Sequence, residues 1–93
     1  MHSPRPRLLL LEDSAIEAET LLDYLASAFE VVHVTSLADA TARLRAESFD
    51  VALVDLCVDD SRNLATFLAC HAAAPHVPFV VQSGIGEPEV AME

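Results

Sequence analysis

Three short apolar runs in this chain each end on oxygen-bearing side chains: Leu8 to Leu11 on Glu12 and Asp13, Val51 to Val54 on Asp55, and Phe79 to Gln82 on Ser83. Short runs rich in Val and Leu read as strands buried on both faces, as parallel strands are. The ends of such strands gather along one edge of a sheet, and open parallel sheets bind their ligands outside those carboxyl ends. Three carboxylates and a hydroxyl converging there repel one another unless a cation or a transferring phosphoryl group offsets the charge. The run ends are therefore the candidate site.

The segments between the runs carry helical signals. Ser14 can cap a helix while Glu17, three residues on, returns a bond to the cap. Ala18, Leu21, Leu22, Leu25 and Phe29 then recur at helical spacing, with Glu17, Glu19 and Asp23 left for solvent. A second strand is expected from Val31 to Thr35, followed by Ser36 and Asp39 at the same cap spacing and a helix through Leu44. Strand three runs from Asp50 to Leu56, a polar loop from Val58 to Ser61, a helix through Leu64, Phe67 and Leu68, and strand four from Val77 to Ser83. Alternating strands and helices with short links imply a doubly wound parallel sheet with right-handed crossovers and helices on both faces. Residues 1–6, with two prolines, read as a loose lead-in, and 7–93 as one α/β domain. Pro88 suits the first turn of a further helix, which the chain's end at Glu93 would cut short.

A chain of 93 residues with 53% hydrophobic content supports one core. Fifteen acidic residues against five basic ones give a net charge of -10, which argues against a grip on nucleic acid or on anionic lipid and favours divalent cations or basic partners. All the basic residues are arginine. Cys57 and Cys70 read as reduced thiols. No apolar run approaches the roughly 18 residues of a membrane span, and four leucines are too few for a signal-peptide core, so a cytoplasmic protein is expected. His33, His71 and His76 share no ligand spacing and read as surface or core residues.

An aspartate at a strand end can attack a phosphoryl group if a divalent cation neutralises the crowded oxygens. Asp55 is the natural nucleophile. Glu12 and Asp13 supply the hard oxygen ligands that Mg2+ prefers. The Ser83 hydroxyl can hydrogen-bond an incoming phosphoryl oxygen, and Gly84 and Gly86, the only glycines, let its loop shift.

The segments LLLLEDS, VALVDL and FVVQSG, in this order and spacing, resemble the receiver domain of two-component response regulators. The resemblance covers nearly the whole chain and implies a flavodoxin-like or CheY-like (βα) fold, with strand order 2-1-3-4-5 when complete. It implies that a sensor histidine kinase or phosphotransfer protein passes a phosphoryl group to Asp55, that Glu12, Asp13 and Asp55 hold Mg2+ with the backbone carbonyl of Cys57, and that Ser83 is the switch hydroxyl followed by the small residue Gly84. On this basis the chain is a signalling module that switches partner binding, not an enzyme.

The sequence also departs from that pattern. Asp59 and Asn63 stand where the family usually has a proline and a glycine; Asn tolerates a left-handed backbone better than most residues. Asp59 and Asp60 read as a solvated loop. The family's fifth strand and its lysine, the cation that bridges the phosphoryl group, are absent, and only Arg62 lies near a strand-end loop. The fold is thus expected to lack the fifth strand and last helix. A bare fourth-strand edge would invite a homodimer or domain swap. The alternative function is a pseudo-receiver, an interaction or dimerisation module with inefficient or no phosphorylation. A phosphohydrolase with Asp55 as nucleophile would want a second Asp at the position of Cys57.

Overall fold

The computed structural model of the chain describes residues 5–82 and 89–91. In chain order these form β1 (Arg7–Leu11), α1 (Ala15–Leu25), β2 (Glu30–Val34), α2 (Leu37–Ala46), β3 (Val51–Asp55), a small hairpin of β4 (Cys57–Val58) and β5 (Ser61–Arg62), α3 (Leu64–Ala73), β6 (Phe79–Gln82) and β7 (Glu89–Ala91). The main sheet has the order β2-β1-β3-β6-β7. Its first four strands are parallel, with Leu10 opposite both His33 and Leu53, and Asp55 opposite Gln82. This is the doubly wound arrangement expected from the alternation of short apolar runs with helical spacings.

Alternation along β1 explains why both faces need cover. Leu9 and Leu11 enter the larger core with Ala40 and Leu44 of α2 and Cys70 of α3. Leu8 and Leu10 enter a smaller one with Leu53, against which Leu21, Leu22 and Leu25 of α1 pack. A run of four leucines can therefore only be a central strand between two helical layers. The Cys70 thiol is buried, which raises its pKa to about 11, and Cys57 is half-buried; both are free.

The start of the strands is tied by arginine. Arg7 pairs with Glu47 at 2.8 Å and Glu30 at 3.7 Å, lies over the Phe49 ring at 4.8 Å, and receives Asp50 on its backbone N–H. Arg43 reaches the same Glu47 at 2.7 Å.

Two expectations at the chain's end are corrected. The fourth strand, β6, has no bare edge: β7 pairs with it antiparallel, Val80 opposite Val90. The segment after Pro88 is a strand, not the start of a helix. The otherwise unpaired amides and carbonyls on the outer side of β6 reward backbone pairing with this segment. The strand beside β6 is thus antiparallel, and the main sheet has five strands.

Candidate functional site

The site forms where β1 and β3 end. Glu12, one residue past β1, is 1% exposed, and Asp55, the last residue of β3, is 7% exposed. Asp13 is half-buried beside them, and one oxygen from each of these three carboxylates lies within 4.8 Å of the others. Parallel register puts them there: Leu11 opposes Val54, so the next residue on each strand projects from the same edge. The structure thus brings together all three carboxylates singled out from sequence. Ser83, Gly84 and Gly86 lie outside the described residues.

Two of the three carboxylates are held by backbone N–H groups. The Ser14 N–H donates to Glu12 Oε2 at 3.1 Å, and the Cys57 N–H donates to Asp55 Oδ1 at 3.0 Å. The first bond corrects the cap expected at α1. Ser14 Oγ does accept from the Glu17 N–H, but the Ser14 amide goes to Glu12, not back to Glu17, because the buried carboxylate is the group in greater need of a donor. Even so, Glu12 Oε1 is buried without a partner among the described residues. Burial first, and the neighbouring Asp55 charge after it, push the Glu12 carboxyl up to about 7, against the Ser14 bond that lowers it.

An orphaned, buried carboxylate oxygen amid two other carboxylates is a cost to the fold unless a cation joins it. The residues fit Mg2+. All the donors are hard oxygens, and their spread is comparable to the roughly 4 Å across a Mg2+ coordination shell. Arg62 does not offset this charge: it is exposed on β5 and pairs with none of these carboxylates.

Two further residues border the site that composition and spacing had not singled out. His33 Nε2–H donates to the Glu12 backbone carbonyl at 2.8 Å, which places that ring at the edge of the site. Gln82 sits beside Asp55 on β6, with a buried Oε1 that has no partner among the described residues. Strand register was the available signal for Gln82, which stands opposite Asp55, whereas His33 stands opposite Leu10 and reaches the Glu12 carbonyl through its side chain.

The hairpin after Asp55 is also built, not a loose loop. Thr66, fully buried, donates its hydroxyl to the Leu56 carbonyl at 2.8 Å and lies 2.7 Å from Ser61 Oγ. The Asn63 N–H closes on the Leu56 carbonyl at 2.7 Å. Asp60 is exposed, as expected, and also accepts the backbone N–H groups of Leu37 at 2.8 Å and Ala38 at 3.1 Å; these bonds hold its carboxyl below the usual aspartate range. Asn63 carries a φ of 59° with ψ -141°, a conformation that crowds Cβ and favours glycine. Its carboxamide caps nothing on α3, so the strain is uncompensated there. Asn63→Gly is expected to stabilise the domain by about 1 kcal/mol and raise Tm by about 4–8 °C, and Asn63→Ala to destabilise it by a similar amount. Thermal unfolding followed by circular dichroism checks both.

No protein-family model and no curated protein sequence matches the chain. Solved structures do. The MaeR response regulator bound to beryllium trifluoride superposes with a TM-score of 0.76 at 19% identity, over 88% of this chain and 70% of that one. An Asp-to-Ala mutant of MaeR bound to sulfate matches with a TM-score of 0.77 at 17% identity, over 89% of this chain and 70% of that one. An adenylate cyclase from Rhodopirellula baltica matches with a TM-score of 0.74 at 23% identity over 83% of this chain, and the chain spans 58% of that protein's matched chain. Identities this low carry the fold alone, and that fold is the receiver fold of response regulators, with α1 on one face of a β2-β1-β3-β6 parallel sheet and α2 and α3 on the other.

Proposed function

We propose that this chain is a phosphoaccepting receiver domain that takes a phosphoryl group onto Asp55 from a sensor histidine kinase or phosphotransfer protein and thereby switches the binding of a partner. The observation that carries the proposal is the buried, unpartnered Glu12 Oε1 within a cluster of three strand-end carboxylates, an arrangement that calls for a cation beside a candidate nucleophile. Support comes also from the similar MaeR structures, which hold beryllium trifluoride and sulfate, small groups that share the size of a phosphoryl group.

Glu12, Asp13 and Asp55, with the Cys57 backbone carbonyl, would hold Mg2+. When bound, the ion would supply charge neutralisation at the site. An Asp55 oxygen attacks phosphorus, an O–P bond forms, and the N–P bond of a donor phosphohistidine breaks, its electron pair returning to the imidazole. The Cys57 N–H holds Asp55 Oδ1 and so leaves Oδ2 as the nucleophile. Ser83 would hydrogen-bond the transferred group and report its arrival. Because the domain would carry the modification and not turn over a substrate, it would act as a signalling module; no helix of the described residues is long and apolar enough to cross a membrane.

A pseudo-receiver that binds partners without efficient phosphorylation is the second reading. It is favoured by one observation: no basic side chain pairs with the site carboxylates among the described residues. Incubation with Mg2+ and acetyl phosphate, followed by intact mass, separates the two. A single phosphoryl adduct on the wild type that is lost in Asp55→Asn and in the presence of EDTA is expected. An unmodified wild type would leave the pseudo-receiver, and an adduct that persists in Asp55→Asn would remove Asp55 as the acceptor.

A further inference from the structure

Asp60 lies five residues beyond Asp55, at the tip of the hairpin, yet both of its carboxylate oxygens are spent on another element. They accept the N–H groups of Leu37 and Ala38, the first two residues of α2, across more than twenty positions of sequence. The first turn of a helix has amides without intrahelical partners. The usual solution is the preceding residue, and α2 has it: Ser36 Oγ accepts from the Asp39 N–H at 3.1 Å. Asp60 fills the two positions that Ser36 cannot reach, and the helix start is saturated by two independent elements.

What this does for the site follows from the other end of the hairpin. Cys57 opens it, and the Cys57 N–H is the donor that holds Asp55 Oδ1. Cys57 faces Arg62 across the hairpin, and Val58 faces Ser61, so Asp59 and Asp60 form the two-residue tip. A two-stranded hairpin this short is not stable by itself. It is pinned at its base, where Leu56 accepts from Asn63 and Thr66, and at its tip, where Asp60 grips α2. Between these ends Val58 is buried in the larger core and Thr66 holds Ser61, so the tip bonds of Asp60 add to those restraints and reach Cys57 through the β4–β5 pairing.

We propose that Asp60 is a positioning residue for the carboxylate site: by anchoring the hairpin tip to the N-terminus of α2, it holds the Cys57 backbone in the place from which it restrains Asp55. The coupling is reciprocal, as any linkage must be, so occupancy at Asp55 also bears on the first turn of α2. The proposal rests on the receiver reading only for its consequence in metal binding, not for the anchoring itself.

The test compares Asp60→Ala and Asp60→Asn with Ser36→Ala, which weakens the same helix start without touching the hairpin. Two readouts are taken: hydrogen exchange of the Cys57 amide in metal-free protein by NMR, and the Kd for Mg2+ by titration calorimetry. In Asp60→Ala the Cys57 amide is expected to exchange about tenfold faster, and Mg2+ to bind about fivefold more weakly. Asp60→Asn, which keeps one acceptor oxygen, falls between. Ser36→Ala lowers Tm to a similar degree and changes neither readout by more than about twofold. Equal effects in Asp60→Ala and Ser36→Ala on Cys57 exchange would reduce Asp60 to a helix cap and overturn the proposal. If wild-type protein bound no Mg2+ in an Asp55-dependent way, the receiver reading would fall, while Cys57 exchange would still decide the role of Asp60.

Discussion

In metal-free buffer the stability of this protein is expected to fall by about 3 kcal/mol as the pH rises from about 4.5 to about 7. The cause is Glu12, whose carboxyl is raised from 4.5 to about 7 in the folded protein, chiefly by burial. Between those two values the folded state holds a proton on Glu12 that the unfolded chain has already released. Each step up in pH therefore favours unfolding, and the contribution is fully present below the unfolded value and lost as pH passes through the folded one. The carboxyls that are held low, Glu47 by Arg7 and Asp60 by backbone amides, give the opposite slope, but only at and below their ordinary values of 4.5 and 3.8. Cys70 acts only above its ordinary value of 9.0. Saturating Mg2+ is expected to remove the decline, because a cation takes the place of the proton. Glu12→Gln should flatten the profile without metal and abolish the stabilisation by Mg2+. Urea unfolding across this pH range, with and without Mg2+, measures all of it. A flat wild-type profile, or an equal slope in Glu12→Gln, would refute the assignment.

The second large effect concerns the strand that carries Gln82 toward Asp55. Phe79 opens β6, is 1% exposed, and meets the Phe67 ring edge-on at 5.7 Å, with the His71 ring at 6.3 Å. Truncation removes an aromatic from the layer between the sheet and α3 and leaves a cavity beside Phe67 and His71. Phe79→Ala is expected to cost about 3–5 kcal/mol, a large share of the total stability of a domain this size. Leu68→Ala on α3, at a position 54% exposed, should cost less than about 1 kcal/mol. Denaturant midpoints of the two variants give the comparison, and similar shifts would mean that α3 does not pack on β6 as described.

Much of this architecture is legible in sequence because its signals are local. Four leucines before an acidic pair specify a central strand, and apolar spacing after Ser14 and Ser36 specifies helices that the structure places within a few residues of those bounds. The three carboxylates are legible for the same reason, since each ends an apolar run. What was not legible depends on pairing between distant segments. Asp60 looks only solvated until α2 is placed beside it, and His33 looks inert until β2 is aligned with β1. The segment after Pro88 has the residues for a helix start, yet the open edge of β6 decides its structure. Asn63 is intermediate: its tolerance of positive φ is a property of the residue, and the need for it is a property of the hairpin.

The arginine cluster at the start of the strands gives the molecule an electrical direction. There Arg7 and Arg43 meet Glu30, Glu47 and Asp50 at close range, so opposite charges largely cancel. At the far end of the same strands Glu12, Asp13 and Asp55 have no such counterpart among the described residues. Along the strands, acidic side chains are therefore paired with arginine at one end and unpaired with it at the other. A cation near the carboxyl end would feel those unpaired carboxylates over the roughly 10 Å that 0.1 M salt allows, and over less as salt rises.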